Sequence, residues 1–369
     1  VIAAISSILF GSVPNFACNA TAENPFKGSN LAFSLYLIFR TLQGFAGGLI
    51  ETSVIFSNSD LFADILGQVM AYQELVVGMA FMLGPVFGGV LYNYLGFFWT
   101  FGLFSVLNAG VFVTVLMFFP GNIHGPNDEE KLSLLDSEIN DKKEEEEEDN
   151  VGMMDVMSLP FFMSLFTLFL FNAFFAFMMP YLPLYTQDHW GWGAMLSGAA
   201  VAFSAFFYAI SSFGVGYKMD QMKIESAGLY KLAYGFGFIF MGLSYWLLGP
   251  YPVQDYVASE ASVLIGMGAL GLSCGFVSIP TLPDAQFCAE KTVSIKGINN
   301  SKALKSLVSG VWQASYSLSA IVGGPLGGII YGQWGFVGVN FFSAVIAVIM
   351  GGICLLMGAY WMAFDPFRR

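Results

Sequence analysis

The stretch "GMAFMLGPVFGGVLYNYLG", residues 78–96, sets Gly84, Pro85, Gly88 and Gly89 inside an otherwise oily run of helix length. Glycine and proline both weaken a helix in water. A run that carries them and still reads as a helix suits a setting in which bare backbone is useful. Between membrane helices it is, because small residues let a neighbouring backbone approach closely and a proline bends the axis. The motif is therefore read as an interface, with the glycines as its packing face and Pro85 as its bend.

Composition supports a bilayer around that run: 56% of the 369 residues are hydrophobic, 17% aromatic and only 11% charged. About 20 mostly apolar residues cross the ~30 Å hydrocarbon core. By that rule ten spans are expected, at roughly 1–18, 30–57, 68–93, 98–120, 158–182, 192–216, 227–249, 261–283, 305–331 and 336–363. Lipid cannot satisfy open backbone groups, and the alternation of a barrel strand is absent, so the spans are helical. The fold class is all-α, a polytopic membrane protein. The first run opens in mid-helix with neither initiator methionine nor charged leader, so it is not read as a signal peptide.

Residues 128–155 hold 13 of the 26 acids and 3 of the 14 bases, which accounts for −10 of the net charge of −12. "DKKEEEEEDN", residues 141–150, reads as a solvated tether. The tether gives the domain boundaries: 1–120 before it, the acidic linker 121–157, and 158–369 after it. Placing the linker on the cytoplasmic side puts nearly all the lysines, Lys231 and Lys296 among them, at cytoplasmic loops or helix ends, as the positive-inside rule requires. Lys27 falls opposite, and so does the sequon at Asn19, a candidate glycosylation site. Cys18, Cys274, Cys288 and Cys354 show no metal-binding spacing, and His124 and His189 complete no zinc set, so neither metal nor cofactor is expected. Nothing suggests nucleic acid, and no nucleophile, base and metal constellation suggests an enzyme.

"GPVFGGVLYNYLGFFW" at 84–99 is echoed by "GPLGGIIYGQWGFVG" at 324–338, which matches Gly324, Pro325, Gly327 and Gly328 to the first motif. Each copy lies in the last span but one of its half. Parallel repeats of six helices are a transporter architecture, and four spans before the linker against six after it leave two missing at the amino end.

The sequence resembles the major facilitator superfamily. Gly84-Pro85-Val86-Phe87-Gly88-Gly89 matches the helix-five signature of its antiporters, and "RTLQGFAGG", Arg40 to Gly48, matches a helix-four signature. Within the superfamily it is similar to the vesicular amine transporters, and most of all to their polyamine branch. That similarity is carried by "QELVVGMAFMLGPVFGGVLY" at 73–92, "FFYAISSFGVGYKMD" at 206–220, "YWLLGPYPV" at 245–253, "SIPTLPDAQFCA" at 278–289 and "SLVSGVWQASYSLSAIVGGPLGGIIYGQWGF" at 306–336. The resemblance implies two pseudo-symmetric bundles, family helices three to six and seven to twelve. Met179 stands where these transporters carry an acid before the helix-seven proline, and Gln313 at one of their later acidic positions.

Ionisable groups inside spans are functional candidates by default, and the clear ones are Arg40, Glu51 and Glu74. Arg40, Gly44, Gly47 and Glu51 lie along one helical stripe, with about ~16 Å of rise between the charges, so each charge needs another partner. A buried carboxylate can exchange a proton and hold an ammonium. The resemblance assigns Arg40 to proton coupling. Gln43, Gln73, Tyr181, Tyr185, Trp312 and Tyr316 are the candidate cavity lining, the aromatics because their faces attract cations. Asp284, after "SIPTLP", is expected to be solvated at a helix end.

The expected function is exchange of a small organic cation, polyamine or monoamine, for protons across a vesicle or plasma membrane, by a monomer with linker and C-terminus in the cytoplasm. The competing expectation is a non-transporting facilitator-like subunit of an assembly.

Overall fold

The computed structural model describes residues 1–17, 30–62, 65–118, 152–222, 226–249, 259–297, 301–364 and 366–367. Asn19, Cys18, His124 and most of the acidic linker lie outside these residues, as does the side chain of Pro85.

Every predicted span falls on a helix. The elements are α1 (Ile2–Ala17), α2 (Asn30–Leu61), α3 (Leu66–Phe118), α4 (Met153–Val156), α5 (Leu159–Met178), α6 (Leu182–Trp190), α7 (Ala194–Met222), α8 (Ala227–Leu248), α9 (Glu260–Ser278), α10 (Thr281–Lys296) and α11 (Ser301–Ala363). Among the described residues seven helices are long and apolar enough to cross a membrane. Large apolar side chains face outward, such as Phe33, Val106, Ile321 and Leu356. That suits lipid, which does not penalise them.

Two of the helices are pairs of spans joined at a single residue. α3 breaks at Gly96 (φ 74°, ψ 176°) and α11 at Gly335 (φ 63°, ψ −164°). Both backbone conformations belong to glycine alone. Gly96 and Gly335 stand at matching places in the two echoed motifs, seven residues after Gly89 and Gly328, so the repeat carries the joint as well as the motif. Of the two copies, the second makes the close helix approach: a Cβ on Gly327 would lie 2.8 Å from the Phe177 backbone, and one on Gly328 3.0 Å from the Tyr181 hydroxyl. At Gly84 and Gly88 the space a Cβ would take is open among the described residues.

By packing, the chain forms two compact units, Val1–Ser53 with Phe87–Asp149, and Val54–Val86 with Asn150–Arg369. In the first, α1 lies against the second half of α3: Ser105 Oγ donates to the Ala4 carbonyl at 2.6 Å. Phe10, Tyr36, Phe97 and Phe101 close an aromatic cluster beside that contact.

The second unit is built around α5, α8, α9 and α11, with Phe161, Phe174, Phe238, Met241 and Tyr245 fully buried. Gly228, Gly235, Gly242 and Gly249 recur every seventh residue along α8 and its C-cap, and meet Gly358, Gly351, Ala344 and Val337 in reverse order. A seven-residue repeat keeps one stripe facing its partner, and small residues on it bring two backbones together. Helices α8 and α11 therefore pack antiparallel.

Residues 54–86 belong to this second unit, so the packing boundary does not follow the linker. The reason is local: Asp220, at the end of α7, accepts from the Gly67 and Gln68 amides at 3.1 and 2.8 Å, which caps α3. Helix amino ends carry free N–H groups and a positive dipole, so a carboxylate is well placed there.

Candidate functional site

Within the second unit a cavity of about 230 Å³ opens between α3, α5, α7 and α11. Glu74 is its one charged wall residue among the described residues. The aromatic walls are Phe171 and Phe175 of α5, Tyr208 of α7 and Tyr316 of α11, and Met179 lies beside them. Helical spacing explains the α5 contribution: residues 171, 172, 175, 176 and 179 fall on one face. Tyr208 of α7 and Glu74 of α3 line the same cavity. Asn172 Nδ2 donates to the Tyr316 carbonyl at 2.9 Å and to Ser319 Oγ at 2.5 Å, pinning α5 to α11 at the cavity wall. An acid amid aromatic faces favours an organic cation.

Of the residues picked from sequence, the cavity brings together Glu74 and Tyr316. The other proposed lining residues are engaged elsewhere. Tyr181 stacks on Tyr331 at 4.3 Å, and Tyr185 on Phe336 at 4.4 Å, in the packed core. Trp312 is buried and its Nε1 donates to Thr281 Oγ1 at 3.1 Å. Gln73 accepts from Asn58 Nδ2 at 2.8 Å, a tie from α3 to α2. In the first unit, Arg40 donates to Gln43 Oε1 at 2.9 Å, and its guanidinium lies 5.5 Å from the Phe10 ring centre. Gln43 in turn donates to Ser7 Oγ at 3.3 Å. Glu51 is half-buried on the same helix. Arg40 thus has its separate partners, as its distance from Glu51 along the helix requires.

One expectation is overturned. Asp284 is fully buried, not solvated, and so is Lys231, which pairs with it. The pair is enclosed by hydroxyls: Ser164 Oγ donates to Asp284 Oδ2 at 2.5 Å, Tyr234 OH donates to the same oxygen at 2.7 Å, and Lys231 Nζ also donates to Ser164 at 2.9 Å. The ammonium lies 5.4 Å from the Tyr234 ring centre and 5.8 Å from that of Trp361. Asp284 sits in the first turn of α10, where the helix dipole favours an anion. Sequence alone missed it because an acid at a helix start looks the same whether water or a lysine faces it. A signal was present in "GLYKLAYGFGF", where a lysine falls within an apolar span.

The sequence matches the Major Facilitator Superfamily over residues 1–301. The chain belongs to that superfamily. The Homo sapiens MFS-type transporter SLC18B1 is 26% identical over 318 residues, covering 86% of this chain and 62% of that protein. The chain therefore spans less than two-thirds of that relative's length. Among solved structures, a double-tryptophan XylE mutant superposes with a TM-score of 0.65 at 14% identity, covering 99% of this chain and 79% of that one. A bacterial homologue of the iron transporter ferroportin, in an outward-facing state, gives 0.59 at 14%, covering 97% and 80%. Both show the fold alone. The chain is an integral membrane protein of a transporter superfamily, not an enzyme.

Proposed function

We propose that this superfamily member is a secondary active transporter that exchanges a small organic cation, a polyamine or monoamine, for protons by alternating access. One observation carries the reading: among the described residues, the one charged group lining the aromatic cavity is a carboxylate, Glu74. Ionised, Glu74 holds an ammonium; protonated, it releases it, so cation and proton compete for one group. The resemblance deepens this. Met179, which stands where similar transporters carry an acid on α5, lines the same cavity. The carboxylate is then supplied from α3 across the cavity in its place.

In this reading residues 1–120 and 158–369 are the two rocking bundles, and the motifs at Gly84-Pro85-Gly88-Gly89 and Gly324-Pro325-Gly327-Gly328 are the flexing interface. Arg40 and Glu51 assist coupling in the first unit, and linker and C-terminus face the cytoplasm of a monomer in a vesicle or plasma membrane.

The test is pH-gradient-driven uptake of radiolabelled spermidine and serotonin into liposomes carrying full-length protein, wild type or Glu74→Gln. Uptake that needs both the gradient and Glu74 is expected. Folded protein that carries neither amine would overturn the reading in favour of another cargo or a non-transporting subunit.

A further inference from the structure

Among the described residues, the cavity of about 230 Å³ sets one charge, Glu74, against walls that are otherwise neutral. Next to the acid stand the Phe175 ring, the aliphatic side chain of Val201 and the thioether of Met179. Gly78 follows Glu74 by one turn of α3, so the two share a face. A Cβ on Gly78 would meet nothing nearer than Ala205, at 3.8 Å, so the wall beside the acid is free of bulk and leaves room for a flat body. The polar groups that remain, Asn172, Ser204 and the tyrosine hydroxyls, offer oxygens but no charge. Asp284, fully buried elsewhere in the same unit, is held by Lys231, Ser164 and Tyr234.

A cargo with one ammonium finds its counter-ion in Glu74 and can lay its body on the rings. A cargo with a second or third ammonium must set it against neutral oxygens or aliphatic carbon. Neutral groups do not replace the hydration of an ion, and a charge left unpaired away from water is costly. Met179 is where a second anion could stand. It caps the C-terminal end of α5 with helical backbone, and it lines the cavity with an unbranched side chain as long as a glutamate but without the charge. We propose that Met179 sets the charge of the cargo: with a thioether there, the site accepts an organic cation of single positive charge on a flat apolar body and disfavours polyamines. This deepens the reading of Glu74 as the cation-binding group, and it rests on that reading.

The experiment is titration calorimetry of the detergent-purified full-length protein with serotonin, putrescine and spermidine, which bring one, two and three ammonium groups. Wild type, Met179→Glu, Met179→Gln and Glu74→Gln are compared. The wild type is expected to bind serotonin roughly fivefold to a hundredfold more tightly than either polyamine, the effect of one polar group left unpaired. Met179→Glu supplies a second anion and should shift the ratio of polyamine to serotonin affinity about tenfold or more towards the polyamines. A wild type that binds spermidine as tightly as serotonin, and through Glu74, overturns the proposal and leaves the Glu74 reading intact; that comparison needs no substitution at Met179 to fold. An unchanged ratio in folded Met179→Glu overturns it too. So does an equal shift in Met179→Gln, which has the length without the charge and would show shape at work. Binding of no amine, or binding indifferent to Glu74→Gln, removes the Glu74 reading and this inference with it.

Discussion

Replacing Lys231 with methionine isolates what the buried pair contributes to stability. Methionine keeps the length of the side chain and removes the ammonium, so Asp284 is left as a carboxylate with no cation beside it. Breaking a buried pair in this way costs about 3–5 kcal/mol. Here the lower end applies, because two hydroxyl donors, Ser164 and Tyr234, and the first turn of α10 remain around the charge. About 3 kcal/mol corresponds to roughly a hundredfold in the folding equilibrium. At about 2–4 °C per kcal/mol for a unit of this size, the melting midpoint falls by about 6–12 °C. The companion variant Lys231→Met/Asp284→Leu removes both charges. Its hydroxyls are not orphaned, since Ser164 still reaches the Pro160 carbonyl at 3.0 Å and Tyr234 the Pro280 carbonyl at 3.2 Å. Replacing both members of a buried pair by apolar groups is neutral or stabilising by about 1–4 kcal/mol. The order of midpoints is thus single below wild type, and wild type at or below double. Thermal melts of the detergent-purified proteins, followed by size-exclusion of the surviving fraction, measure it. A double variant as unstable as the single one would refute the reasoning, because the loss would then come from packing and not from an unpaired buried charge.

Other expectations follow from particular contacts. Asp220→Asn keeps one acceptor for two amides and loses the charge at the head of α3; the loss of about 2 kcal/mol should speed hydrogen exchange at Gly67 and Gln68 roughly thirtyfold. Unchanged protection would show that the cap does not hold the helix. Gly271→Ala would set a Cβ 2.1 Å from the Ser204 carbonyl oxygen, forcing α7 and α9 apart at a cost of about 1–3 kcal/mol, visible as a lowered yield of monodisperse protein. Gly335→Ala forces a side chain into a backbone conformation reserved for glycine, at about 1–3 kcal/mol; a melt identical to wild type would mean the joint relaxes freely.

The sequence by itself determined where the apolar runs are helical, because length and apolarity are local properties that need no partner: among the described residues each of the ten runs falls on helix, with the run at 261–283 broken at Ile279 and Pro280. The joints at Gly96 and Gly335 were legible only in principle, as matching glycines between the paired spans; the sequence reading put the bend at Pro85. Glu74 was legible because a carboxylate inside a lipid span is costly wherever its helix turns. The glycines of α8 were legible in principle, as a seven-residue period. The tertiary structure alone decided what faces each of these. Asp284 and Lys231 lie 53 residues apart in the chain; the apolar run around Lys231 marks it as unusual, yet nothing near either residue names the other as its partner. Tyr181 and Tyr185 have the right chemistry for a cation site, yet they stack on Tyr331 and Phe336, while Trp312 stacks on the cavity residue Tyr316 and its Nε1 donates to Thr281. Met179 and Glu74 share a cavity wall only because α3 and α5 meet in one unit. Burial and pairing depend on the neighbour across the interface, and that neighbour is specified by the whole packing and by no single segment.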